Sequence, residues 1–259
     1  MKKFTKLTAF ALALVMALGL LAGCGSSNSD NSTPSGDDTA KTKLVVATSP
    51  DFPPFESLEG GEVVGIEVDI LNKIAEKMGM ELDIQQMDFD SVIPGVQAGK
   101  FDVGMSGITV TDKRKENVDF SSVYFMAAQA IVVTADSGIT GKADLEGKKV
   151  SVQTGTTAEE YCMGNGYEVL AFTANNDAAA ALTSGKVDAW VVDNEVALAM
   201  APELGLTVLD EAMTSEPYAF AFQKGSELVA PFNEALDALL ADGTVEKIFQ
   251  QYGVTYIAP

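Results

Sequence analysis

Gly99-Lys100-Phe101-Asp102-Val103-Gly104-Met105-Ser106-Gly107-Ile108-Thr109-Val110-Thr111-Asp112-Lys113-Arg114 passes from a glycine turn through a short strand and a hydroxyl-rich loop into the start of a helix. Thr111 and Asp112 are N-cap residue types placed before the charged run Lys113 to Asn117. Open backbone N–H groups at such a junction attract an anion, and the free amide of Gly107 is one of them. Arg114 sits in the first helical turn, where its planar fork suits a carboxylate through two parallel hydrogen bonds, and Ser106 and Thr109 add donors. On these residues alone, an Arg on a solvated turn explains Arg114 equally well.

Working outward, Gly185-Lys186-Val187-Asp188-Ala189-Trp190-Val191 repeats the same sequence of helix end, glycine turn and strand. Lys149-Val150-Ser151-Val152 leads into Thr154-Gly155-Thr156-Thr157 much as Lys43-Leu44-Val45-Val46 leads into Ser49-Pro50-Asp51-Phe52. Two similar α/β lobes are therefore expected. In open, mostly parallel sheets a ligand lies beyond the carboxyl ends of the strands, and all four loops fall there: 49–52, 106–114, 154–157 and Asp193. The lobes then face each other across one cleft.

Between these loops, Ile70, Leu71, Ile74, Ala75 and Met78 fall on one face of a helix stopping at Gly79, Glu81 to Met87 reads as a strand, and Ser91 to Ala98 as a helix. Glu195 to Met200 reads as a helix and Leu206 to Leu209 as a strand, while Glu227 to Leu240 and Thr244 to Tyr252 are amphipathic and pack back on the first lobe. Tyr218 to Phe222 is expected to pair with Gln129 to Val133 as a two-stranded crossing. The boundaries are then residues 43–127 and 222–259 for lobe 1, and 128–221 for lobe 2 with the crossing strands.

The N-terminus has Lys2, Lys3 and Lys6, an apolar run from Leu7 to Leu21, and then Leu21-Ala22-Gly23-Cys24, the pattern of an export signal over residues 1–23. Leu-Ala-Gly-Cys is similar to the lipobox of bacterial lipoproteins, which implies lipid on Cys24 as the first mature residue. Residues 24–42, rich in Ser, Asn, Asp, Gly and Thr, read as a flexible tether. The expected location is the extracytoplasmic face of the cell membrane, with a soluble body held through the lipid.

Of 259 residues, 47% are hydrophobic, enough for a full core, and the formal charge of −20 excludes a phosphate-binding surface of the nucleic-acid kind. No histidine is present, which removes the commonest general base and zinc ligand. Cys162 is left without a partner once Cys24 is assigned to the leader, and reads as an inert, partly buried thiol.

From Lys43 to roughly Val254 the chain resembles the family 3 extracellular solute-binding proteins, the polar amino-acid receptors of ATP-driven importers. The residues that carry the resemblance are Ala47-Thr48-Ser49-Pro50-Asp51-Phe52-Pro53-Pro54-Phe55, Gly65-Ile66-Glu67-Val68-Asp69-Ile70, Ser106 to Arg114, Val118-Asp119-Phe120-Ser121, Gly155-Thr156-Thr157-Ala158, and Val187-Asp188-Ala189 with Asp193. The resemblance implies a type II periplasmic-binding-protein-like fold, two open mixed sheets joined by a two-stranded hinge with the ligand cleft between them. It implies that Arg114 holds an amino acid's α-carboxylate with Thr109 and with the backbone and hydroxyl of Thr157. Asp193 and the backbone of Gly107 take the α-ammonium. Phe52 and Phe89 match positions that cover the bound side chain, and Ser49, Ser106, Gln153 and Thr156 match the pocket lining.

A zwitterion leaving water needs an opposite charge at each end, which fits this division independently. Asp193, Thr156 and Thr157 also suit helix capping, Phe52 and Phe89 suit a core, and Asp119 and Asp188 read as structural. Ser49 stands where several relatives for basic amino acids carry an acid, so a neutral polar or small amino acid is expected, with a basic one as the alternative. The expected partners are a free amino acid, the transmembrane permease of an ABC importer and the membrane; no cofactor or metal is expected, and the protein is read as a monomer. The rival reading is a dehydratase-type enzyme on the same fold using cleft acids, for which Glu195 is the extra acid near Asp193. A receptor's sensor module would require a second spanning segment or a signalling domain.

Overall fold

The computed structural model describes residues 43–259. The expected export signal, the expected lipid attachment at Cys24 and the expected tether lie outside the described residues. The apolar run Lys43–Thr48 forms β1, and a small hairpin layer follows, β2 (Asp51–Phe52), β3 (Glu56–Glu59) and β4 (Glu62–Val64). Helix α1 (Ile66–Met78) buries Ile70, Leu71, Ile74 and Ala75 along one stripe. Next come β5 (Glu81–Gln86), α2 (Phe89–Gln97), β6 (Val103–Gly104), the short α3 (Asp112–Lys115) and β7 (Val118–Phe120).

The chain leaves this lobe along β8 (Phe125–Ala127) and builds a second from β9 (Gln129–Val133), a 3-10 turn at Lys142–Leu145, β10 (Lys149–Gln153), α4 (Thr157–Gly164), β11 (Glu168–Phe172), α5 (Asn175–Thr183), β12 (Ala189–Asp193), α6 (Asn194–Met200) and β13 (Thr207–Val208). It returns along β14 (Glu216–Tyr218) to β15 (Ala221–Gln223), α7 (Val229–Ala241) and α8 (Thr244–Gln251). Helices α7 and α8 pack on α1, as their amphipathic patterns require.

The two five-stranded sheets share one plan: β5-β1-β6-β15-β7 and β11-β10-β12-β9-β13. In each, the lobe's first parallel strand lies between two parallel neighbours, and the fourth strand runs antiparallel. The internal echo seen in the sequence reaches individual hydrogen bonds. Asp102 accepts from Val45 N at 2.8 Å and returns its own N–H to Val45 O; Asp188 accepts from Lys149 N at 2.8 Å and returns its N–H to Lys149 O. Each aspartate thus pins the start of the third strand to the first, so Asp188 is structural, as expected. Asp119 is structural too, accepting from Lys224 Nζ and Gly225 N at the β15–α7 turn.

The expected crossing needs correction. Gln129–Val133 does not pair with Tyr218–Phe222; it lies between β12 and β13, buried at all five positions. Ala221–Gln223 joins the first sheet. The crossing is β8 against β14, with Phe125 opposite Tyr218 and Ala127 opposite Glu216. A strand buried at all five positions, such as Gln129–Val133, needs cover on both faces, which a two-stranded ribbon does not supply, whereas Pro217, lacking an N–H, is tolerated there. The ribbon is rooted in the first lobe by aromatic packing: Phe125 stacks on Phe249 at 4.6 Å, and Phe55 meets Tyr218 edge-on at 5.2 Å.

Candidate functional site

The loops at the carboxyl ends of the strands converge on one cavity, about 360 Å³ including the part open to solvent. That size suits a small molecule. Phe52, Phe89, Ser106, Gly107, Thr109 and Arg114 line it from one lobe, and Gln153, Thr156, Thr157 and Asp193 from the other. Ala158, Asn175, Val191 and Val192 complete it. Phe89 arrives as the first residue of α2, which begins ahead of the helix start expected at Ser91.

Arg114 is placed as its cap predicts: Thr111 accepts from Arg114 N at 3.1 Å and so starts α3. Its guanidinium lies 5.6 Å from the centre of the Phe89 ring and donates to Thr109 O at 2.9 Å and, across the cleft, to Gly155 O at 3.1 Å. Among the described residues no carboxylate lies within ion-pair distance of it. Burial lowers its pKa, with Glu160, Glu216 and Asp193 pulling the other way. A half-buried cation satisfied only by carbonyls retains attraction for an anion.

Gly107 corrects one expectation. Its N–H is not open to an anion, because it donates inward to Glu67 Oε2 at 2.9 Å. Its φ of +53° and the Phe52 ring, which an added Cβ would meet at 2.5 Å, both require glycine here. Ser106 accepts from Ser49 N at 3.1 Å and reaches Glu56 Oε1 at 2.8 Å, so its hydroxyl also faces inward.

Asp193 ends β12 and precedes α6, yet its side chain makes no capping hydrogen bond. Instead Oδ2 accepts the hydroxyl of Tyr218 from the crossing strand β14. Burial, with Glu216 adding repulsion, pushes its carboxyl up to about 8 against the pull of Tyr218. Thr156 does cap α4, accepting from Glu159 N at 3.2 Å while lining the cavity. The Thr157 hydroxyl is taken: it donates to Glu216 Oε2 at 2.9 Å and accepts from Gln129 Nε2. As the first residue of α4, Thr157 keeps an amide with no intrahelical acceptor.

At the far end, Gln153 accepts from Asn175 Nδ2 at 2.9 Å and turns its own amide nitrogen towards Thr173 O and Asp51. Ser49 does not reach the cavity; its hydroxyl donates to Asp51 Oδ1 at 3.0 Å. Asn175 had no motif to mark it, and Tyr218 and Glu216 were hidden by the misplaced crossing. Glu195 also misses the cavity, tied to Asn194 at 2.9 Å, although burial raises its pKa to about 7. Cys162 is fully buried, and burial raises its pKa to about 12, so it stays an inert thiol.

The family model described as "Bacterial extracellular solute-binding proteins, family 3" matches residues 44–255. The arginine-binding extracellular protein ArtP of Bacillus subtilis is 36% identical over 90% of this chain and 92% of its own length. A probable histidine-binding protein of Campylobacter jejuni is 33% identical over 97% of this chain and 99% of its own. The structure of an ancestral arginine-binding protein bound to glutamine is 41% identical, with a TM-score of 0.78 over 82% of this chain and 98% of its own. These relatives are named as binding proteins, and the two sheets with their crossing ribbon have the type II architecture of such proteins. The chain belongs to the family 3 bacterial extracellular solute-binding proteins, and it is a binder rather than an enzyme.

Proposed function

We propose that the protein captures a free L-amino acid by closing its two lobes and delivers the closed form to the permease of an ABC importer, while lipid on Cys24 holds it at the extracytoplasmic face of the membrane. The observation that carries this reading is that the Arg114 guanidinium and the Asp193 carboxyl face one cavity from opposite lobes, and no ion pair joins them among the described residues. A zwitterion supplies the missing partner at each end. The α-carboxylate goes to Arg114, with Thr109 and the Thr157 amide. The α-ammonium goes to Asp193 and, since the Gly107 N–H is engaged with Glu67, to the Gly107 carbonyl. The side chain extends past Phe52 and Phe89 to the amides of Gln153 and Asn175, which offer both donors and acceptors to a polar group.

A basic side chain is the second reading. Asp51, which lies behind Gln153 with a burial-raised pKa, favours it, and so do the relatives named for arginine and histidine. A thermal-shift and calorimetric screen over the free amino acids tests both. Stabilisation by mass action is expected with one or a few of them. A response to sugars and none to amino acids refutes the reading, and glutamine against arginine separates its two forms. Loss of membrane association in a Cys24→Ala chain tests the anchor.

A further inference from the structure

We propose that Glu56 and Glu67 share one proton, and that this neutral-and-anionic carboxyl pair is the positioning device for the Ser106–Gly107 turn of the ligand site. The inference rests on the amino-acid-binding reading for its role, though not for the pair itself. Both side chains are fully buried, Glu56 on β3 and Glu67 on α1, and neither forms an ion pair among the described residues. The groups facing Glu56 are Glu67, Ser106 and, further off, Asp51; Glu67 also meets Tyr124. No cation is among them.

Glu67 accepts from Gly107 N at 2.9 Å and from the Tyr124 hydroxyl. Glu56 accepts from Ser106 Oγ at 2.8 Å, but its Oε2 is buried and faces no donor. Two carboxylates side by side in a dry interior repel strongly, and an unpaired buried oxygen adds a desolvation cost. One proton on Glu56 Oε2, donated to Glu67, removes both penalties. Glu67, with two donors aimed at it, suits the ionised form; Glu56, with one, suits the neutral form. Burial, and then Glu67, hold the Glu56 pKa well above the ordinary carboxyl range, in the same sense.

The ionised Glu67 then holds the Gly107 amide inward, and neutral Glu56 fixes Ser106, so the turn carrying the ligand's ammonium acceptor keeps one shape. Losing the proton would place a second negative charge beside the first and disturb that turn. Ligand affinity should therefore fall at alkaline pH, opposite in sign to the rise that ionisation of Asp193 produces.

The test compares wild type, Glu56→Gln and Glu56→Ala in the full chain. Infrared difference spectra, wild type minus Glu56→Gln, should show a protonated-carboxyl band at neutral pH without any ligand. Calorimetry with L-glutamine and L-arginine as probes should show Glu56→Ala weakened at least about tenfold, with Glu56→Gln rescued to within about threefold, because the amide supplies the same donor at every pH. Towards alkaline pH, the affinity of wild type relative to Glu56→Gln should fall at least about tenfold; the ratio cancels the titration of Asp193, which both share. Absence of the band, parallel pH profiles, or a Glu56→Gln as weak as Glu56→Ala would each overturn the proposal. Should Glu56→Ala not fold, the band and the pH ratio still decide it. Should neither probe bind wild type, the band alone decides the pair, and it is the ligand reading that fails.

Discussion

Asp193 is buried and Arg114 half-buried, and they respond in opposite ways. Arg114 cannot shed its charge, so it takes two carbonyls and retains capacity for an anion. Truncation to Ala should weaken amino-acid binding by about 2 to 5 kcal/mol, because the ligand's carboxylate would be buried alone. Lys should recover only part of this, since a point charge cannot replace the fork. Unchanged calorimetric affinity in Arg114→Ala would remove this residue from the site. Asp193 can shed its charge, and with its carboxyl at about 8 it is largely protonated near neutrality before ligand arrives. An α-ammonium favours the ionised form, so binding below pH about 8 should release up to one proton, and affinity should rise with pH towards that value. Calorimetry in two buffers of different ionisation heat reads the release directly, and Asp193→Asn should show none. At this scale the sequence was legible where a residue's neighbours are local. Arg114 follows from its cap and its turn. Ser49 was misplaced because what it touches, Asp51 and Ser106, depends on how a loop closes, and Tyr218 was missed because its partner lies 25 residues away on another strand.

Helix α5 shows how an element can depend on closure. Its own N-cap, Ala174, has no side-chain acceptor, and the buried amide N–H of Asn175 is met at 2.7 Å by Asp51 Oδ2 from the opposite lobe. The same carboxylate faces Gln153 Nε2, and Ser49 steadies it. A cap of this kind is worth about 1 kcal/mol, and here it exists only while the lobes are together. Asp51→Ala should therefore speed ligand release about fivefold with little change in unliganded melting temperature. Stopped-flow release showing no change would mean that α5 finds another cap. Gly155 marks the same seam: at φ +78° it sits so close to Asp90 that an added Cβ would meet its Cβ at 3.1 Å. Elements with a strong period, such as α1, α7 and β1, were readable from sequence, as was the repeat carried by Asp102 and Asp188. The crossing ribbon was not, because Phe125–Ala127 is three residues long and is apolar like the buried strands around it. Only the sheet register separates them.

The whole molecule carries a formal charge of −20 and buries several carboxyls, and both facts set its response to pH. Asp51, Glu56, Asp193 and Glu195 have pKa values raised chiefly by burial, to about 8 for Asp193 and about 7 for Glu195. Unfolded, these groups would lose their protons near pH 4. Between about pH 4 and about pH 8 the folded state thus holds more protons than the unfolded one, and stability must fall as pH rises through that window. Repulsion among ionised surface acids acts in the same direction. Asp119, Asp144, Glu211 and Asp242 have lowered values, through hydrogen bonds that help only above their unfolded pKa, so their contribution is lost in stronger acid. The unliganded protein should therefore melt highest near pH about 5 and progressively lower towards pH about 8. A bound amino acid changes the sign for one group only: by keeping Asp193 ionised it makes its own stabilisation grow across the upper half of the same window. Scanning calorimetry with and without saturating ligand should show the two melting curves separating from about pH 6 to about pH 8. A gap that is constant with pH would mean that Asp193 is already ionised in the unliganded molecule, and that the lobes stand open enough there for water to reach it.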